Sequence, residues 1–120
     1  MIKFKSLNKN IQFIKILKRR KINNKYFVIY FGRDIVNENI NKYLNISFVT
    51  KKKIGNAVVR NKIKRKLKFA VQKTLNEKKI IDLNYTYIIL GKNNVYKDKF
   101  ALVLNEVNEA FEKIKRTGSN

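Results

Sequence analysis

Residues 26–31, YFVIYF, are aromatic or β-branched at every position. Such a run is a strand, because ring and branched side chains pack well on a pleated surface. Alternation puts Tyr26, Val28 and Tyr30 on one face and Phe27, Ile29 and Phe31 on the other. Both faces are apolar, so both need a cover, and one of those covers need not be core.

The rest of the chain supplies the layers. Ile46 to Thr50 reads as a second strand, with Ile46 and Phe48 on one face, and Tyr85 to Leu90 as a third. A helix is expected over about residues 8–19, capped by Asn8 or Asn10, with Phe13, Ile14 and Leu17 on its inner side. Residues 34–44 form a polar connection. A last helix, about Asp98 to Lys115, buries Phe100, Val103, Leu104, Val107, Phe111 and Ile114 and shows Glu106, Glu109 and Glu112 to water. The expected fold is α+β, a small mixed α/β sandwich. At 120 residues, 44% of them apolar, it is one domain over 1–116 with a frayed tail at 117–120.

Between the second and third strands lies KKKIGNAVVRNKIKRKLK, residues 51–68, half of it Lys or Arg and none of it acidic. Gly55 breaks the strand pattern, and Asn56 is placed to cap a helix reaching about Leu75. Val59, Ile63, Leu67, Ala70 and Val71 cover about 120° of its arc. Lys62, Lys64, Arg65, Lys66 and Lys68 fill most of the remainder, and Arg60, in the first turn, can turn sideways out of the apolar arc. No acid occurs between Glu38 and Glu77, so the helix carries uncompensated like charge, which opposes folding. An A/T-rich genome would raise Lys, Asn and Ile together, but it does not explain the clustering. Phosphate binding does. The net charge of +21 points the same way, to a polyanionic partner, with nucleic acid ahead of an anionic membrane surface.

Protein-borne catalysis is not expected. The absence of Cys and His removes disulfides, zinc-finger ligation, thiol nucleophiles and imidazole bases. The eight carboxylates are scattered, except for the spaced row Glu106, Glu109 and Glu112 on an ordinary solvated face. Four glycines form no phosphate loop. No apolar run approaches the roughly 20 residues of a membrane helix. MIKFKSLNKNIQF lacks the apolar core of a signal peptide, so a cytoplasmic location is expected. A strand and a Gly turn precede the basic helix, not the short helix of a helix-turn-helix. That favours a helix laid across structured RNA over one in a DNA groove.

The residues that carry this argument also carry a family resemblance. KKIGNAVV at 52–59 followed by RNKIKRKLK at 60–68 resembles the central motif of the bacterial ribonuclease P protein subunit. The likeness extends over roughly residues 5–115, through Phe13, the strand at 27–30, the strand at 87–89 and the final amphipathic helix. It implies a sheet of about four strands, three helices and a left-handed βαβ crossover, an exception to the usual hand. It implies that an RNA subunit performs catalysis with Mg²⁺ bound mainly through RNA and substrate phosphates. The protein then binds that RNA and the 5′ leader of precursor tRNA, assisting removal of the leader.

Position by position, the resemblance puts Lys52, Lys53, Arg60, Asn61, Lys62, Lys64, Arg65 and Lys68 against the RNA subunit. Lys62 and Lys68 stand where Arg is usual, which keeps the charge and loses the planar fork. Phe13 and Tyr30 match aromatic positions of a leader cleft, and Leu17 stands where a second helix aromatic is frequent. The alternative is a ribosomal-type structural RNA-binding protein, with the same charge and no role in cleavage.

Overall fold

The structure is a computed structural model, and it describes residues 2–7, 10–33 and 43–117. Five strands form one sheet: β1 (Lys3–Lys5), β2 (Arg20–Asn23), β3 (Phe27–Arg33), β4 (Tyr43–Thr50) and β5 (Tyr85–Gly91). Their order is β1-β4-β5-β3-β2. β1 and β5 run parallel to β4, while β3 is antiparallel to β5 and to β2. The helices are α1 (Asn10–Leu17), α2 (Ala57–Glu77), the single turn α3 (Asn94–Lys97) and α4 (Phe100–Thr117). A 3₁₀ turn at Lys52–Ile54 leads into α2. The fold is the expected α+β sandwich, with the parallel pair β4 and β5 joined through α2.

The edge strands β1 and β2 and the single turn α3 are not among the elements read from the residues, and they bring the count to five strands and four helices against the implied four or so and three. β1 and β2 read KFK and RKIN, too short and too polar to show an apolar alternation. They exist because a neighbouring strand offers them a ladder. The expected helix cap Asn8 and most of the 34–44 connection lie outside the described residues; Tyr43 and Leu44 already belong to β4.

The main core lies between one sheet face and the pair α2 and α4. Phe27, Ile29 and Phe31 of β3, Leu44 and Ile46 of β4, and Tyr85, Tyr87 and Ile89 of β5 meet Ile63, Leu67, Ala70 and Val71 of α2. Val103, Val107, Ala110, Phe111 and Ile114 of α4 complete it. Phe111 meets the Tyr87 ring edge-on at 5.2 Å, a favoured aromatic geometry. The Tyr87 hydroxyl donates to the Asp82 carbonyl at 2.7 Å, and burial pushes its pKa up. Gly91 matters here. A Cβ on it would lie 2.6 Å from Ile63 Cγ2 and 2.9 Å from Leu67 Cδ1, so its missing side chain lets α2 sit directly on β5.

The opposite face carries α1, which contacts β2, β3 and β5. Ile16 and Ile88 are fully buried but stand apart from the main core, which makes them the small second core beneath α1. This corrects the expected face of the first helix. Ile16 is its buried residue, whereas Ile14 is 50% and Leu17 39% exposed and Phe13 is half-buried. An eight-residue helix with Ile or Leu at 11, 14, 16 and 17 and Phe at 13 is apolar nearly all round. Periodicity therefore does not select the face; contact with the sheet does.

Candidate nucleic-acid interface

The basic helix is positioned by its two ends. Asn56 accepts a hydrogen bond from the Val59 amide at 3.0 Å, capping the first turn. Gly55 lies so close that an added Cβ would come within 3.2 Å of Val59 Cβ, which packs the 3₁₀ turn onto the helix start. Arg60 turns sideways as expected and donates to the Lys52 carbonyl at 3.0 Å. That bond ties the helix to the turn that displays Lys52 and Lys53, both exposed.

At about 100° per residue, Arg60, Lys64 and Lys68 form one row along α2, while Lys62 and Arg65 lie on its outward side with Asn61 between the two groups. Asn61, Lys62, Arg65 and Lys68 are exposed, and Arg60 and Lys64 are half-buried. Among the described residues, no carboxylate pairs with any cation from Lys51 to Lys68; the ion pairs are Lys25–Asp98, Arg33–Asp82 and Lys73–Glu77. Lys66 is drawn inward, because its ammonium donates to the Asp98 carbonyl. The Asp98 carboxylate in turn accepts from the Tyr26 hydroxyl at 2.7 Å and lies 3.2 Å from Lys25. The Tyr26 bond, reinforced by Lys25, holds the Asp98 carboxyl below the usual carboxylate range. The same bond first, and burial second, push the Tyr26 hydroxyl up to about 12. That network makes Lys66 a structural cation and leaves its neighbours available.

A second feature lies on the α1 face of the sheet. Strand register sets three rows across it. Gly32, Thr86 and Asn45 are buried; Ile88 and Ser47 are buried beside half-buried Tyr30; Val28, Leu90 and Val49 are all half-open. Burial thus falls off along the face, and the last row is a half-open apolar strip. Lys21 pairs with Tyr30 and Asn23 with Val28, so an exposed cation and amide edge the strip on β2. The Leu7 amide donates to Ser47 Oγ at 3.1 Å, fixing the chain that enters α1.

The structure therefore places the sequence-expected residues in two regions: the α2 and turn cations on one side, and on the other Phe13 and Leu17, one helical turn apart on α1, with Tyr30 on the sheet face that α1 contacts. Sequence reasoning missed Val28, Val49, Leu90, Lys21 and Asn23. Alternation along YTYIIL, which separates Thr86, Ile88 and Leu90 from the core residues, carried the signal for Leu90. Among the described residues, no three carboxylates gather where a metal ion could be held, and no helix is long and apolar enough to cross a membrane.

A mixed sheet with a basic crossover helix on one face and a half-open apolar strip on the other defines a small, strongly basic α+β protein. The family model for ribonuclease P matches residues 1–115. The chain is 34% identical to the ribonuclease P protein component of Mycoplasma mycoides, over 91% of this chain and 94% of that one. It is 31% identical to that of Carboxydothermus hydrogenoformans, over 100% of this chain and 99% of the other. Its fold superposes on the Staphylococcus aureus RNase P protein with a TM-score of 0.67 at 25% identity, covering 92% of this chain and 94% of that one. The chain belongs to the bacterial ribonuclease P protein family, whose ribonucleoprotein processes tRNA.

Proposed function

We propose that this chain binds the catalytic RNA subunit of ribonuclease P through α2 and the preceding turn, and holds the 5′ leader of precursor tRNA on its α1 face. The observation that carries the reading is the pairing of two unlike surfaces on one small sheet. One is a row of cations that pair with no carboxylate among the described residues. The other is the half-open strip Val28–Leu90–Val49 beside Tyr30. Phosphates of a folded RNA suit the first, since Lys and Arg release counterions when they neutralise phosphate. Unpaired bases suit the second, since an aromatic ring such as Tyr30 stacks any base without reading its identity and an aliphatic strip beside it gives the base an apolar contact.

Division of labour follows from the side chains. The protein has no His or Cys to move a proton or attack phosphorus. Its described carboxylates do not converge on a metal position. Mg²⁺ therefore enters through RNA and substrate phosphates, and the protein's part is to position both RNAs in the cytoplasm. Arg60, Asn61, Lys64, Arg65 and Lys68, with Lys52, Lys53 and Lys62, face the RNA subunit. Phe13, Leu17 and Tyr30 face the leader.

Tyr30→Ala tests the leader platform. With the assembled ribonucleoprotein, it should weaken precursor tRNA by about 1–3 kcal/mol, the worth of one stacked base. Mature tRNA, which has no leader, should bind as before. Equal losses for both RNAs with the fold intact would return Tyr30 to plain packing and leave a structural RNA binder of the ribosomal type.

A further inference from the structure

Two large apolar side chains of α2 point away from the fold. Val58 is 61% and Phe69 60% exposed, and neither belongs to the core or packs against it. They lie eleven residues apart, about three helical turns, and so on the same outward ridge. Between them on that ridge stand Lys62 and Arg65, with Lys68 beside it. Arg65 is four residues before Phe69, so the guanidinium and the ring are neighbours along the helix. Among the described residues, the Phe69 ring pairs with no other ring. The inward face of α2 is already filled by Ile63, Leu67, Ala70, Val71 and Thr74, so the fold gives Phe69 no packing role.

We propose that Phe69 is a stacking platform for an unpaired base of the RNA subunit, an inference that rests on the reading of α2 as the RNA-subunit face. Charge decides the occupant. The ridge around the ring is cationic, and no carboxylate pairs with Lys62, Arg65 or Lys68 among the described residues. A second copy of the chain in a two-fold contact would set Lys62 and Arg65 of each copy against their equivalents. A membrane surface would need a broad apolar face, and this ridge has two such residues. RNA satisfies both features at once, with phosphates for the cations and a base for the ring. The base must be unpaired, because those in an A-form helix are stacked on their neighbours and closed to a side chain. The contact would pin α2 to a loop or bulge, adding register to binding that backbone charge alone leaves free to slide.

The test compares Phe69→Ala, Phe69→Leu and Phe69→Trp with the wild-type chain. The measurement is affinity for a transcribed bacterial ribonuclease P RNA across a range of salt, with thermal unfolding as the check on folding. Phe69→Ala and Phe69→Leu should each lose about tenfold in affinity, and Phe69→Trp should keep it. The slope of log affinity against log salt should not change, because a ring neutralises no phosphate. Loss in Phe69→Ala fully restored by Phe69→Leu would overturn stacking in favour of simple apolar contact. Wild-type affinity in Phe69→Ala, alongside weakened binding in the Lys64→Glu, Arg65→Glu double variant, would overturn the inference and leave the proposed function standing. Wild-type affinity in both would remove the RNA-subunit face itself. A change confined to self-association or to binding of anionic vesicles would also overturn it.

Discussion

Reversing the charge at Lys64 and Arg65 together, as Lys64→Glu and Arg65→Glu, should strongly weaken binding to the RNA subunit without unfolding the protein. Neither residue belongs to the Ile63–Leu67–Ala70–Val71 stripe that holds α2 on the sheet. The salt dependence should flatten as well, by about 0.7–0.9 in the log–log slope for each phosphate that is no longer neutralised. Reversal at Glu109 and Glu112, on α4, provides the control for bulk charge. It makes the protein more basic and should not weaken binding. If binding followed net charge alone, reversal at Glu109 and Glu112 would strengthen it by as much as reversal at Lys64 and Arg65 weakens it, and the effect would belong to bulk charge and not to a surface.

Ile63→Ala should do the reverse. Ile63 is fully buried, and its Cγ2 occupies the space above Gly91. Truncation leaves a cavity between α2 and β5 that the backbone of a strand paired on both sides cannot close. The expected loss is about 2–5 kcal/mol of stability, read by denaturant unfolding. A domain of this size has only about 5–15 kcal/mol to lose. RNA affinity of the fraction that remains folded should stay near wild type. On the proposed function, side chains one position apart on the same helix thus carry opposite duties, Ile63 for the fold and Lys64 for the partner.

How far the sequence foretold this depends on the element. β3 and β5 were legible because a central strand with core on one face and a helix against much of the other is apolar along most of its length, and few other structures tolerate that composition. α2 was legible for the opposite reason: its apolar arc is narrow and its polar arc is almost purely cationic, so both faces announce themselves. The inner side of α1 was not legible. With Ile11, Phe13, Ile14, Ile16 and Leu17 in eight residues, the burial of Ile16 is decided by the sheet beneath it. β1 and β2 were hidden because edge strands draw their stability from a neighbour's ladder more than from their own side chains. The strip Val28–Leu90–Val49 was hidden because half-open apolar residues look like core until register sets them in one row. Phe69 was hidden inside a run read for its charges.

On the proposed function, this chain positions RNA for an RNA catalyst and performs no chemistry of its own. Cleavage of a precursor tRNA tests it most directly, measured with the purified chain, with Mg²⁺, and with or without a bacterial ribonuclease P RNA. No cleavage is expected from the chain alone, and 5′-leader removal at the tRNA boundary is expected once the RNA is added, faster with the chain than without it. Site-specific cleavage by RNA-free protein, or an RNA whose activity the chain leaves unchanged, would contradict the proposed function.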